Sequence, residues 1–193
     1  MPKDPRHLRL PREFERWPEE LRRAIGDERK PAGVLIPIID REQALSVLLT
    51  RRAAHLRYHP GQVSFPGGRM ERNDADITAT ALRETHEEVG IPPNEVEIAG
   101  YLEPTLTITG YTVIPVVGLI RPTTPLVIDP TEVEHAFEVP LSFLLDEANA
   151  HRSEREVYGV RLPVVEFTFA AERIWGATAN IVLTLRDTLS RAE

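Results

Sequence analysis

Hydrophobic residues along this chain fall into two patterns, and each pattern predicts a different element. Short apolar or alternating runs, bounded by turn residues, are typical of β-strands. These runs are Gly33 to Ile39, Ala44 to Arg51, Gln62 to Phe65, Val96 to Leu102, Thr112 to Ile120, Glu156 to Leu162 and Val164 to Phe169. The turn at Asp40-Arg41-Glu42 predicts a hairpin of the first two strands, and the last two should pair antiparallel.

The second pattern has helical periodicity. It covers Asp74 to Val89, Pro140 to Ala150, Thr178 to Leu189 and a short stretch near Pro18 to Ile25. Asp74 is a good N-cap for the first of these helices, and Gly90 followed by Pro92 is a strong stop signal. Strands with a few interspersed helices indicate an α/β (α+β) fold, an α/β/α sandwich with a mixed β-sheet between helices.

Length and composition limit the organisation of the chain. Residues 1–30 are charged and broken by prolines, which predicts an N-terminal arm carrying the short helix. Residues 31–193 show no internal boundary and are expected to form one domain, for which a hydrophobic share of 41% is ample. The chain has neither an apolar secretory leader nor a run long enough to cross a bilayer, so the cytoplasm is the expected compartment.

Charge and cysteine content exclude several classes of function. The chain has no cysteine, which excludes disulfides, a thiolate nucleophile and cysteine-ligated metal centres. The net charge of −7 argues against nucleic acid or an anionic membrane as a partner. A small anionic substrate is still possible, because it responds to local charge.

The segment RETHEEVG, Arg83 to Gly90, concentrates negative charge on a predicted helix. Glu84 and Glu88 are four residues apart and lie along one edge of the helix side that should pack on the sheet. Glu87 projects next to them, within pairing range of Arg83. Converging carboxylates repel one another unless a cation joins them, and ligands that are all oxygen favour Mg²⁺ or Mn²⁺ over zinc. A solvated acidic helix face is the alternative.

The loop before this helix makes a ligand site more specific. Pro66-Gly67-Gly68 is expected to form a tight turn after a strand and to leave main-chain groups open to a phosphate or a metal. Glu71 adds a further acid and Arg69 a further base. A Gly-Gly pair alone is usually just a turn, but here it leads directly into the acidic helix.

Gly68 through Ile91 resembles the signature box of the Nudix hydrolases: a glycine, a spacer, an acidic residue, then Arg-Glu-x-x-Glu-Glu-x-Gly and an aliphatic residue. The positions that match in register are Arg83, Glu84, Glu87, Glu88, Gly90 and Ile91. Thr85 stands where an aliphatic residue is usual. Asp74 replaces a glutamate, with one extra residue before Arg83, so Asp74 is either the equivalent acid or only the helix cap.

A second resemblance lies upstream. LLTRRAAHLRYHPGQVSFPGG, Leu48 to Gly68, is similar to the element that marks the coenzyme A pyrophosphatase branch of the Nudix family. TGYTVIPVVG, from Thr109 to Gly118, and WGATA, from Trp175 to Ala179, also resemble that branch. The likeness covers most of residues 33–190.

The resemblance implies Mg²⁺- or Mn²⁺-dependent hydrolysis of the diphosphate of coenzyme A, and of its thioesters, to 3′,5′-ADP and 4′-phosphopantetheine. It implies that Glu84 and Glu88 are metal ligands together with Gly68. Glu87 would be a further ligand or the carboxylate that deprotonates water, with Arg83 holding the cluster in place. The alternatives are another nucleoside diphosphate derivative, such as NADH or ADP-ribose, and a non-catalytic module that senses a nucleotide.

The resemblance also suggests residues that contact substrate. Arg52 and Arg57 are the candidates for the 3′-phosphate of coenzyme A, because guanidinium groups bind phosphate bidentately. Phe65 could flank the adenine, and Arg69 is a further contact. Tyr111 could line a channel for pantetheine, although simple packing is the alternative for both aromatic residues.

A base from outside the box is also implied. Glu132 and Glu134, in the segment DPTEVEH, are the candidates, and a solvated loop is the alternative. His55 and His59 are four apart but lack the third ligand that a zinc site needs. The expected partner is thus a small molecule bound by a monomer or a homodimer.

Overall fold

A computed structural model describes Glu19, residues 29–41 and residues 44–191. The predicted N-terminal arm and its helix near Pro18 to Ile25 therefore lie almost wholly outside the described residues. In the part of the chain that is described, no helix is both long and apolar enough to cross a membrane.

One large mixed sheet organises the described residues. Its strands are β1 (Lys30–Arg41), β2 (Ala44–Arg52), β3 (Val63–Ser64), β4 (Gly67–Arg69), β5 (Val96–Tyr101), β6 (Thr105–Leu106), β7 (Tyr111–Ile120) and β8 (Val133–Pro140). The strands β1 and β7 run parallel, with Lys30 opposite Tyr111 and Ile39 opposite Ile120, and the other pairs are antiparallel. The predicted hairpin of the first two strands is confirmed, with Ile38 opposite Val47.

The segment after β2 divides this hairpin. β1 pairs with β2 at its second half but with β4 at its first half, where Gly33 lies opposite Gly68. β2 in turn pairs with β3 at its far end, where Thr50 lies opposite Ser64. Pro66, between β3 and β4, accepts a hydrogen bond from the Leu35 amide at 2.9 Å. The predicted Gly-Gly turn is therefore wrong, because residues 67–69 form a short strand that β1 binds.

Helices cover both faces of the large sheet. They are α1 (Ile77–Val89), α2 (Leu141–Leu145) and α3 (Ala177–Ser190). α1 packs on the face that carries Leu35 and Leu48, and α3 belongs to the core on the opposite face, with Ile36 and Val47. Because alternate residues of a strand point to opposite faces, these consecutive apolar residues supply both cores. The predicted mixed sheet between helices is confirmed.

A smaller antiparallel sheet adds to the α3 side. It contains β9 (His151–Val157), β10 (Val160–Phe169) and β11 (Glu172–Trp175). The prediction of strands at 156–162 and 164–169 is wrong, because Pro163 lies inside one continuous strand and the turn is at Tyr158-Gly159. Pro163 faces Glu154 of β9 but lies outside the β11 pairing, so its missing amide hydrogen is tolerated on that side.

Two predicted helix boundaries also change. The helix expected over 140–150 ends at Leu145, because Asp146 is extended and its side chain accepts a hydrogen bond from the Ala148 amide at 2.9 Å. A short 3₁₀ turn, Glu147–Asn149, follows. The N-cap of α1 is Asp76 rather than Asp74, since Asp76 accepts from the Ala79 amide at 2.8 Å. The predicted stop at Gly90 is confirmed.

Candidate active site

The helix α1 presents its three glutamates at three depths. The Glu88 side chain is 2% exposed, that of Glu84 16% and that of Glu87 54%. Their spacing on the helix sets this gradient: Glu88 shares the buried side with Thr85 and Ala81, whereas Glu87 points outward. The carboxylates therefore span the margin between the core and solvent.

Arg83 joins this cluster through three carboxylates. Its Nη1 lies 2.9 Å from Glu84 Oε1 and donates to Glu87 Oε2 at 2.8 Å. Its Nε and Nη2 donate to the two oxygens of Asp74 at 2.9 and 3.0 Å. One guanidinium thus fixes two acids of α1 against the loop that precedes the helix, which is a bidentate geometry that lysine could not reproduce.

Asp74 does not cap α1; it is the acid that binds Arg83 from the loop before the helix. Besides the two bonds from Arg83, its Oδ2 accepts from the Glu71 amide at 2.8 Å and the Thr80 hydroxyl at 2.9 Å. The hydrogen bonds from Arg83 are the main reason that the pKa of Asp74 is lowered to about 2. The ion pair with Arg83 forms although the gap between the two residues is one residue longer than usual, and α1 begins within that gap, at Ile77.

Strand β4 lies against the carboxylates with almost no space between them. A Cβ atom at Gly68 would lie 2.5 Å from Cδ of Glu84 and 2.6 Å from each of its oxygens. Real Cβ contacts are not this short, so only glycine allows Glu84 to approach the backbone. The neighbouring Gly67 amide donates to Glu88 Oε2 at 3.3 Å. The Gly-Gly pair is thus a cradle for two carboxylates.

Burial raises the pKa of Glu88 to about 8, which is far above its usual range. The Arg52 guanidinium opposes this effect, with Nη1 3.6 Å from Glu88 Oε1, and the Glu84 charge adds to it. Burial also raises the pKa of Glu84, against the nearby charge of Arg83. The metal-free cluster therefore retains a proton to higher pH than free glutamates would.

Of the two predicted loop acids, Glu132 lies near the cluster and Glu134 does not. The charge of Glu132 contributes, after burial and closer groups, to the raised pKa of Glu84 and of Glu88. Glu134 instead pairs with Arg51, with Nε and Oε2 3.3 Å apart. A bulge explains the difference: Arg51 lies opposite His135 and Arg52 opposite Val133, which leaves Glu134 as the extra residue of β8.

The predicted substrate contacts differ in how they are placed. The Arg52 side chain, 25% exposed, lies beside Glu88, whereas Arg57 is exposed in the 53–62 loop with its Cζ 5.3 Å from the ring centroid of Tyr58. Arg69 is exposed, and its carbonyl accepts from Arg83 Nη2 at 3.3 Å.

The two aromatic candidates both belong to the core. Phe65 is 2% exposed within the main core cluster, which agrees with the packing alternative; the role beside adenine stays a prediction. Tyr111 is partly buried against the same cluster.

The donor set fits a hard divalent cation, although the carboxylates do not enclose one as they stand. Among the described residues, no three acidic or histidine side chains converge closely enough to hold an ion. Arg83 and Arg52 hold Glu84, Glu87 and Glu88 in ion pairs instead. The ligands within reach are carboxylate and main-chain oxygens, the type that Mg²⁺ and Mn²⁺ prefer.

Sequence reasoning missed two contributors to this geometry. Thr80 binds Asp74 through its hydroxyl, and the only sequence signal was its place on the inner side of the helix. His55 was weighed only as a zinc ligand, but its Nε2 lies 3.0 Å from the carbonyl oxygen of Thr131, next to Glu132. The His55 contact has no sequence signature, because it joins the loop after β2 to a segment 76 residues away.

Comparison with known proteins agrees with this geometry. The model of the Nudix domain family matches residues 29–182. An uncharacterised Nudix hydrolase NudL of Enterobacter sp. (strain 638) is 45% identical over 157 residues, covering 81% of each chain, and its counterpart in Salmonella paratyphi B is 43% identical over the same length.

Solved structures show the same fold. The Nudix hydrolase RenU of M. smegmatis aligns with a TM-score of 0.58 at 17% identity, over 87% of this chain and 90% of that one. The Nudix domain of Shewanella oneidensis NrtR, solved with ADP-ribose, aligns with a TM-score of 0.54 at 16% identity, over 94% and 99%. By its family match and its close relatives, the chain belongs to the Nudix hydrolase family.

Proposed function

We propose that this protein hydrolyses the diphosphate of coenzyme A, and of its thioesters, with Mg²⁺ or Mn²⁺ as cofactor. Water adds to one phosphorus of the diphosphate, the bridging P–O bond breaks, and the products are 3′,5′-ADP and 4′-phosphopantetheine. The observation that carries the proposal is a contact between two elements. The arginine-rich end of β2 and the acidic helix α1 meet at the Arg52–Glu88 pair.

Glu84 and Glu88 would hold the cation, with the main chain at Gly68 beside them. The bound ion would neutralise the diphosphate charge and lower the pKa of a water molecule. Arg83 keeps Glu84 and Glu87 at a fixed distance from each other through one nitrogen, Nη1. Asp74 anchors that guanidinium on its other side, so the acids keep their geometry when charge in the cluster changes.

Two carboxylates are candidates for deprotonating the attacking water. Glu87 is the most exposed glutamate of α1, and its Oε2 is occupied by a hydrogen bond from Arg83. Glu132 is exposed, lies close enough to influence both buried glutamates, and makes no ion pair in the described residues. We therefore assign the base to Glu132 rather than to Glu134, which Arg51 holds.

Arg52 and Arg57, the two arginines of the upstream element, would bind different phosphates of the substrate. Arg52 lies at the buried end of the acidic cluster, which suits the diphosphate. Arg57 is exposed in the adjacent loop, which suits the 3′-phosphate at the other end of the ADP moiety. This division refines the sequence-based expectation, which gave both arginines to the 3′-phosphate.

Matched substrates test the proposal. Coenzyme A, dephospho-coenzyme A, ADP-ribose and NADH are compared at equal concentration with Mg²⁺, and coenzyme A should be cleaved with the highest kcat/KM. Arg57→Ala should lower kcat/KM about tenfold for coenzyme A but less than about twofold for dephospho-coenzyme A, since only the former carries the 3′-phosphate. Arg52→Ala should impair both.

Arg161→Ala, an exposed arginine of β10, is the control for loss of one positive charge. Equal losses on both coenzymes in Arg57→Ala would reject the assignment of the 3′-phosphate. Faster cleavage of ADP-ribose or NADH than of coenzyme A would reject the substrate, and turnover of none of the four would favour a nucleotide-sensing module.

A further inference from the structure

The 121–132 segment, between β7 and β8, is fastened to the end of the catalytic helix. The Val127 amide donates to the Val89 carbonyl at 2.9 Å, and the Asp129 amide donates to the Glu88 carbonyl at 3.1 Å. These carbonyls belong to the last turn of α1, which has no further helical amides to bind. The segment is thereby aligned with the same turn of helix that carries Glu88.

The end of this segment is a tight turn built around Asp129. Its Oδ1 accepts from the Thr131 amide at 2.8 Å and from the Thr131 hydroxyl at 2.7 Å. Its carbonyl accepts from the Glu132 and Val133 amides at 3.2 and 2.9 Å. The turn therefore sets the direction in which the chain leaves Thr131 and enters Glu132.

The opposite side of the turn is held by the loop that follows β2. The amide of Ala53, a buried residue, donates to the Glu132 carbonyl at 2.9 Å. Two residues later, His55 Nε2 lies 3.0 Å from the Thr131 carbonyl oxygen. A carbonyl can only accept, so Nε2 carries the hydrogen. The two backbone carbonyls on either side of the Glu132 side chain are thus both hydrogen-bonded. His55 binds that of Thr131, and Ala53 binds that of Glu132.

We propose that His55 is a positioning residue that fixes the direction of the Glu132 side chain through the Thr131 carbonyl. The inference rests on the proposed role of Glu132 as the base. The bond to Thr131 is made by an exposed side chain and adds nothing to the core, so its effect is on the orientation of the turn. A displaced base loses rate steeply, since small misplacements of a reacting group are costly.

The other histidine of the loop provides a contrast. His59 Nδ1 lies 3.0 Å from Gln62 Oε1, so its ring contact stays within its own loop. His55 alone of the two reaches across to the 121–132 segment. This difference explains why two histidines four residues apart in sequence have separate structural roles.

A double-mutant cycle tests the proposal. His55→Ala should lower kcat about five- to tenfold with KM changed less than about twofold, as expected for loss of one hydrogen bond that acts on the base. His55→Gln should restore most of the rate, because its Nε2 amide can reach the position of the histidine Nε2, whereas the shorter His55→Asn should not. In a Glu132→Gln background, His55→Ala should have no further effect.

His86→Ala, an exposed histidine on the far side of α1, is the matched control and should keep the wild-type rate. Wild-type turnover by His55→Ala would overturn the proposal, as would a full additional loss in the Glu132→Gln background.

Amide hydrogen exchange gives a readout that does not depend on the substrate. In His55→Ala, the amides of Ala53, Asp129 and Glu132 should exchange at least about fivefold faster, while those within α1 stay unchanged. If coenzyme A is not cleaved but ADP-ribose is, the substrate assignment fails and the same cycle on ADP-ribose tests His55. Unchanged exchange of the three amides overturns the role of His55 whichever substrate is used.

Discussion

The Glu88 carboxylate has little to compensate its burial. It receives one amide hydrogen bond, from Gly67 at 3.3 Å, and lies 3.6 Å from Arg52. A buried carboxylate with weak partners favours its protonated form, which is why the pKa of Glu88 rises to about 8. A residue tuned in this way weakens the metal-free fold at neutral pH and is suited to binding a cation.

Glu88→Gln should therefore stabilise the metal-free protein in a pH-dependent way. The folded-state pKa of Glu88 lies above its unfolded value of 4.5, so the folded state of the wild type loses stability as pH rises from about 4.5 through 8. Glutamine cannot ionise, so the advantage of the variant should be small at pH 5 and grow toward pH 9, with an upper limit of about 5 kcal/mol. Urea unfolding in a chelator, at a series of pH values, measures the difference.

The exposed Glu87 supplies the control for this measurement, because Glu87→Gln removes the same charge without relieving burial. A Glu88→Gln advantage that is constant from pH 5 to 9 would contradict the proposed burial effect.

At the scale of elements, the sequence predicts best where a pattern is local. The helical period ending at Gly90 and the apolar runs of β1 and β2 correspond closely to the structure. The sequence predicts less well where a distant strand determines the conformation. Pro163 stays within a strand because β11 does not pair there. Glu134 is the extra residue at a bulge between β2 and β8, which no local pattern indicates. For Phe65 the sequence left two alternatives, because periodicity cannot tell a core ring from a cleft ring.

The packing of β4 against α1 gives a prediction at this scale. Gly68→Ala would place a methyl group within 2.6 Å of the Glu84 carboxyl and push that side chain out of the cluster. We expect kcat/KM to fall at least about tenfold, because the proposed metal ligand Glu84 would be displaced, while the fold persists. Steady-state kinetics with saturating Mg²⁺, together with a thermal melt, measure both effects.

Gly100→Ala in β5 is the matched control, because a Cβ there meets no heavy atom of the described residues within 4 Å. It should keep activity within about twofold of wild type. Full activity in Gly68→Ala would show that Glu84 does not need its place against the backbone.

At the scale of the whole molecule, three segments bring their residues to α1 and so assemble the candidate site. The divided β1–β2 hairpin brings Gly68 beneath α1, the far end of β2 brings Arg52 to Glu88, and the 121–132 segment brings Glu132. Sequence motifs identified the first two segments, since both lie within a continuous stretch. The position of the third depends on hydrogen bonds that its backbone amides donate to carbonyls of α1. Backbone hydrogen bonds of this kind do not require particular residue types.

This assembly predicts that metal binding and proton release are linked. A divalent cation held by Glu88, as proposed above, would bind its ionised form; because the pKa of Glu88 in the metal-free protein is about 8, binding below that pH would displace a proton. The apparent Kd for Mn²⁺ should therefore fall about tenfold for each pH unit between roughly 6 and 8 and level off above 8. Titration calorimetry in buffers of different ionisation enthalpy measures both the affinity and the protons released.

Glu88→Gln should bind more weakly and lose the steep part of the pH dependence, whereas His86→Ala should keep it. An affinity that is independent of pH from 6 to 8 in the wild type would mean that Glu88 does not ligate the ion.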